Sequence, residues 1–187
     1  MSVKTLRSTY QIKVTLNGVK PPIWRRILIP SDITLGDLHA VLQIVMGWTN
    51  SHLHQFISGR TLYGIKDDDF MFDLDIKDEN RYRINDLLKK EKDWIKYEYD
   101  FGDGWEHKIL LEKVLPFKKE KLPICIKGKR ACPPEDCGGI WGYQNLLEIL
   151  RNPEHEEYED FIDWLGGKFE PEAFDIEKIN HILTKYI

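Results

Sequence analysis

The sequence predicts an α+β fold, a mostly antiparallel sheet packed on a helix, with a β-grasp-like N-terminal half and three C-terminal helices. Three observations carry this. Period-two alternation of apolar residues recurs in short segments up to residue 115. One helical apolar stripe interrupts it at 34–47. Helical patterns separated by Pro and Gly breaks fill 143–187. With 187 residues, 42% hydrophobic and 31% charged, the chain suits a single domain with a substantial core. Within that domain, 1–187, we distinguish a sheet-plus-helix core (10–115), an ordered loop rich in Cys, Pro and Gly (116–142) and a helical part (143–187).

Taken in order, YQIKVTLNGV (10–19) sets Tyr10, Ile12, Val14 and Leu16 on one face of a half-buried strand. Asn17-Gly18 punctuates it, and IWRRILIP (23–30) is a second strand rich in β-formers. Thr34 is the expected N-cap of the helix at 34–47, with Asp37 three residues on. Leu35, Leu38, Val41, Leu42 and Val45 form its stripe, and Gly47 ends it. HLHQFISG (52–59) alternates as a third strand, FMFDLDI (70–76) reads as a short one, and Ile84 to Lys90 as a short helix. DWIKYEYDF and WEHKILLEKVL are two strands joined across Gly102-Asp103-Gly104, a hairpin signal. The density of Pro and Gly at 116–142 implies irregular backbone. Three helices follow at 143–152, 154–167 and 175–187, the last capped by Asp175.

Composition also excludes. The longest apolar run, AVLQIVMGW (40–48), is too short to span a bilayer, and the first ten residues lack the pattern of a secretion signal. Three cysteines, an odd number, favour reduced thiols and a cytoplasmic location. A net charge of −4 argues against general nucleic-acid binding. The charge is uneven: residues 118–130 hold six Lys or Arg against Glu120, and residues 154–177 hold ten Asp or Glu against Lys168. These segments are solvated faces, or they face each other or different partners. Dinucleotide, P-loop, zincin and hydrolase-elbow motifs are absent.

Chemistry concentrates in two stretches. In YDFGDGWEHKILL (99–111), His107 continues the Trp105 and Ile109 row, where an imidazole is partly desolvated. Asp100 or Asp103 either caps turn amides or orients that histidine. His52 and His54, two apart on a strand, would share a face and with His107 could offer three nitrogens to a divalent transition metal. If Ser51-His52 lies in a loop, only His54 points in. Cys125, Cys132 and Cys137 are spaced poorly for a zinc knuckle and read as buried thiols, metal ligands or a redox pair. Glu135 and Asp136 precede a Gly pair and could bind amides, a cation or the basic loop.

PPIWRRILIP, TLGDLHAVLQIVMGW, SHLHQF, YEYDFGDGWEHKILLE, GKRACPPEDCGGIWGY and FDIEKIN together resemble the plasmid pRiA4b ORF-3-like family over about Tyr10 to Asn180. The resemblance implies that Asp100, Gly102, Asp103, Trp105, His107, Cys132, Pro133, Pro134, Glu135, Asp136, Gly138 and Gly139 belong to the family's signature, and it supplies no roles. A resolvase-like or transposon-passenger label attached to some members implies a mobile-element association. This chain lacks the serine nucleophile among arginines and the DNA-binding helix pair that a resolvase needs.

Two functions from different classes follow. One is a module binding an unidentified small molecule or protein through Asp100, Asp103, Trp105, His107, His54, Glu135 and Asp136. The other is a metal-dependent hydrolase-like enzyme, its metal held among His52, His54, His107, Cys125, Cys132 and Cys137, which requires the 125–139 loop to fold over the hairpin tip. A nucleic-acid-associated accessory protein is the weaker third, and no membrane partner is expected.

Overall fold

Eight strands and five α-helices make up the computed structural model of the chain, which describes residues 7–66, 75–117 and 121–185. The strands are β1 (Ser8–Leu16), β2 (Trp24–Pro30), β3 (His54–Ser58), β4 (Thr61–Gly64), β5 (Ile76–Asp78), β6 (Trp94–Tyr99), β7 (Trp105–Pro116) and β8 (Ile124–Lys129). The helices are α1 (Leu35–Met46), α2 (Ile84–Leu87), α3 (Gly139–Leu150), α4 (Tyr158–Trp164) and α5 (Ile176–Leu183). The strands form one sheet in the order β5-β4-β3-β6-β7-β1-β2-β8. Neighbours are antiparallel except β4 and β5. The fold is α+β, as predicted, and the strand–strand–helix opening is present.

Alternation decides which face is buried. Tyr10, Ile12, Val14 and Leu16 of β1, Ile95, Tyr97 and Tyr99 of β6, and Trp105, His107, Ile109 and Leu111 of β7 all point inward. They meet Leu35, Leu38, Val41, Leu42 and Val45 of α1 in one core, which Tyr143, Leu146 and Leu147 of α3 and Leu183 of α5 complete. The other face is polar. On it Glu112 takes both a bidentate pair from Arg26 and a bond from Gln11, and Lys96 meets Glu106 across β6 and β7. Among the described residues no helix is long and apolar enough to cross a membrane.

Local signals hold where they are strong. Thr34 accepts from the Asp37 amide, Gly47 ends α1 in the left-handed region at φ 93°, and Asp175 accepts from the Lys178 amide. Several boundaries differ. The 116–142 segment is not all loop: β8 adds to the otherwise unpaired edge of β2, from Ile124↔Leu28 to Lys129↔Trp24, and α3 begins at Gly139 rather than residue 143. Gly128, one of the glycines behind the expected irregular backbone, lies in β8, paired with Arg25, and Phe174 packs where its Cβ would be, 2.4 Å away. The helices read at 84–90, 154–167 and 175–187 are shorter, and α4 buries no residue fully. Most of FMFDLDI lies outside the described residues; Ile76 begins β5.

Candidate functional site

The β6–β7 connection is built around one aspartate. Asp100 is buried and left-handed (φ 57°), a conformation that Asp tolerates better than most residues. Its Oδ1 accepts from the amides of Gly102 (3.0 Å) and Asp103 (3.3 Å), its carbonyl accepts from the Gly104 amide, and its amide donates to the Leu53 carbonyl. The turn thus occupies one carboxylate oxygen and leaves Oδ2 free of the turn's own amides.

The 130–139 loop closes onto this tip. Trp48 Nε1 donates to the Pro133 carbonyl at 3.0 Å. Glu135 accepts from the Thr49 amide and hydroxyl and from the Tyr99 hydroxyl. Gly139, at φ +66°, lets α3 begin directly on the hairpin: a Cβ there would stand 2.5 Å from the Asp103 carbonyl oxygen. Asp136 is also left-handed, at φ 60°.

His52 meets both segments. Its Nε2 lies 3.3 Å from Asp136 Oδ1 and 3.7 Å from Asp100 Oδ2. That nitrogen is enclosed and lacks a hydrogen bond of good geometry. One ligand atom from each of His52, Asp100 and Asp136 lies within 4.8 Å of the other two, the only such group of three among the described residues. Ligands in a tetrahedral shell with bonds of about 2.1 Å sit roughly 3.4 Å apart, so the spacing suits a cation with little rearrangement. Asp103 Oδ2, nearby in the same turn, is also enclosed and unpaired. Burial, then Asp103, Asp136 and Asp100, push the Cys137 thiol up to about 12, so without a cation it stays protonated.

The other predicted residues are elsewhere, and the three histidines do not form one metal site. β3 starts at His54, opposite Tyr99, not at residue 52: Asn50 is left-handed (φ 60°) and the Ser51 amide donates to the Tyr99 hydroxyl, so His52 enters from a loop. His54 is stacked flat on His39, ring centroids 3.4 Å apart, and its Nε2 bonds Glu79 at 2.8 Å. His107 is fully buried against Trp48 and Tyr97, and both ring nitrogens lack a good partner. Burial pushes its pKa down to about 4; the backbone of Tyr97 and Trp105 offsets only part of that. Trp105 is core, with Nε1 unpaired. Cys125 and Cys132 lie apart from the cluster, beside Arg25.

A family model described as plasmid pRiA4b ORF-3-like protein matches residues 8–178. The chain belongs to this family. The uncharacterised protein y4hQ of Sinorhizobium fredii is 37% identical over 174 residues, 92% of this chain and 89% of its own length. The crystal structure of a protein of unknown function, MM3350, from Methanosarcina mazei Go1 is 41% identical, with a TM-score of 0.82 over 92% of this chain and 98% of the other. In this pRiA4b ORF-3-like chain both signature stretches converge on one place.

Sequence reading missed His39, Thr49, Tyr99 and Glu79. His39 and Gln43 were visible in principle, because they fall four residues after Leu35 and His39 on the buried side of α1. His39 bonds the Tyr97 hydroxyl (2.8 Å) and Asn50 (2.7 Å), and Gln43 bonds Tyr97 and the Asn50 amide. Glu79 carries no comparable local signal.

Proposed function

We propose that this chain is a ligand-binding module whose recognition centre is a divalent transition metal held by His52, Asp100 and Asp136. The observation that carries the reading is the convergence of these three groups, with His52 Nε2 enclosed and without a well-aligned hydrogen bond and one carboxylate oxygen of Asp100 already fixed by the turn. One imidazole and two carboxylates suit Zn²⁺ or Mn²⁺, and three protein ligands leave positions for a ligand atom. Next to the cluster, a groove of about 470 Å³ runs from Asp136 and Cys137 to Phe161 and Trp164 of α4, so a small molecule or protein segment bound at the metal would have an apolar wall to lie against. Reduced thiols fit a cytoplasmic setting.

Isothermal titration of the full chain with Zn²⁺ and with Mn²⁺ tests this. About one equivalent of one of them should bind, and Asp136→Asn, at an exposed side chain, and His52→Gln should each weaken it at least tenfold. Absence of binding, or binding that Asp136→Asn leaves intact, overturns the reading. A second reading, metal-assisted hydrolysis, is favoured by Asp103 Oδ2, an unpaired carboxylate oxygen in the same turn as Asp100 and a group of the kind that takes a proton from a water. It expects turnover of a phosphoester or amide substrate that Asp103→Asn abolishes without loss of metal.

A further inference from the structure

Arg25, on β2, is 2% exposed. Its Nε donates to the Val45 carbonyl at 2.7 Å, and its Nη1 to the carbonyls of Trp24 (2.9 Å) and Lys129 (3.0 Å). One face of the guanidinium lies 4.7 Å from the Phe174 ring centroid. These contacts satisfy donors and orient the plane, but none carries a negative charge. No carboxylate of the described residues lies within ion-pair distance of Arg25. The groups that act on it electrostatically are Cys132 and Cys125, and burial raises both thiols, Cys132 to about 12, so they are neutral. A buried cation without a counter-ion is costly to keep, and proteins normally pair it.

Arg25 borders a cavity of about 440 Å³ between β2, the end of α1, the 131–135 loop and α5. Its walls are mostly apolar: Met46, Trp48, Pro133, Phe169, Phe174 and Ile179. Two acids and Lys178 also reach it; Glu135 is held by Thr49 and Tyr99, Asp175 caps α5 through the Lys178 amide, and Lys178, being exposed, adds a second positive charge at the wall rather than a counter-ion for Arg25. Nη2 of Arg25 takes part in none of its three bonds, and Arg25 is one of the residues that line the cavity. A volume of this size lies within the roughly 300–1,000 Å³ of small-molecule sites.

We infer that this cavity is a second binding site, for an apolar monocarboxylate whose head group pairs with Arg25 and whose alkyl or aryl body lies among Trp48, Phe169 and Ile179. A carboxylate accepts from the two N–H groups of Nη2 that the backbone leaves free and brings the negative charge that Arg25 lacks. The site stands independently of the proposed metal centre.

The test is calorimetric titration of the full chain, with EDTA present, using decanoate and decanol as probes. Decanoate should bind saturably and at least tenfold more tightly than decanol. Ala173→Glu, at an exposed position on the cavity wall, puts a competing acid beside the cavity and should abolish that preference. Arg25→Lys keeps the charge but loses the Nη2 donors and the backbone bonds that fix their plane, and should weaken decanoate at least tenfold. Should Arg25→Lys fail to fold, Ala173→Glu still decides. No binding of decanoate, equal binding of decanol, or a preference that survives Ala173→Glu overturns the inference.

Discussion

His39 and His107 carry their imidazoles inside the core, and burial pushes each pKa from 6.5 down to about 4, with His54 adding to the effect at His39. The unfolded chain takes up protons near pH 6.5, whereas the folded chain resists them until about pH 4. Above pH 6.5 the two groups contribute nothing. As pH falls through 6.5 they destabilise the fold, and below about 4 the loss stops growing. Each contributes about 3 kcal/mol at most. The urea midpoint should therefore be lower at pH 5 than at pH 7. His107→Phe should shrink that drop, because it removes a group that the unfolded chain protonates near pH 6.5 and the folded chain does not. A variant with an unchanged drop would place the titration elsewhere. His107 also marks a limit of sequence reading: its row on the strand was legible, but its lack of bonding partners depends on Trp48 and Tyr97, which arrive from other elements.

Capping and glycine placement separate stability from site assembly at the level of elements. Thr34→Ala loses the bond to the Asp37 amide and should cost about 1 kcal/mol in chemical denaturation, with cation affinity unchanged. Gly139→Ala is different. Both Gly47 and Gly139 are left-handed, so alanine at either is strained by about 1 kcal/mol. Only at Gly139 would the added methyl meet backbone, 2.5 Å from the Asp103 oxygen, whereas nothing lies within 4 Å at Gly47. Gly139→Ala should lose more stability than Gly47→Ala and also weaken Zn²⁺ or Mn²⁺ binding, which Gly47→Ala should not. Caps and alternating strands were legible because they depend on neighbours in sequence. β8 was not: its six residues become a strand by pairing with β2, while Pro and Gly count the same whether they break a strand or fit beside Phe174.

For the whole molecule, one core spans β1, β6, β7, α1 and α3, whereas α4 contributes only partly buried side chains. Amide hydrogen exchange should show β1, β7 and α1 as the slowest segments and Tyr158–Trp164 as the fastest helix. Equal protection of α4 and α1 would contradict this ordering. The charge asymmetry of the sequence resolves in part: Arg130, beside β8, pairs with Glu172 at 2.7 Å, so the basic and acidic segments do meet. The candidate site was half legible. Asp100, Asp136 and His52 were each picked out, because unusual residues cluster at the two signatures. Their grouping was hidden, because it needs a loop from before β3, the β6–β7 tip and the start of α3 to arrive together.

The flat pairing of His39 and His54 has a mechanical consequence. Rings already in van der Waals contact at 3.4 Å cannot be squeezed closer, so the stack works as a hard spacer between α1 and β3. The Asn50–His52 loop hangs between those two elements, and its anchorage keeps its dimensions when the molecule is loaded. Under hydrostatic pressure the span that carries His52 then stays stiff, because the stack holds no gap for pressure to close.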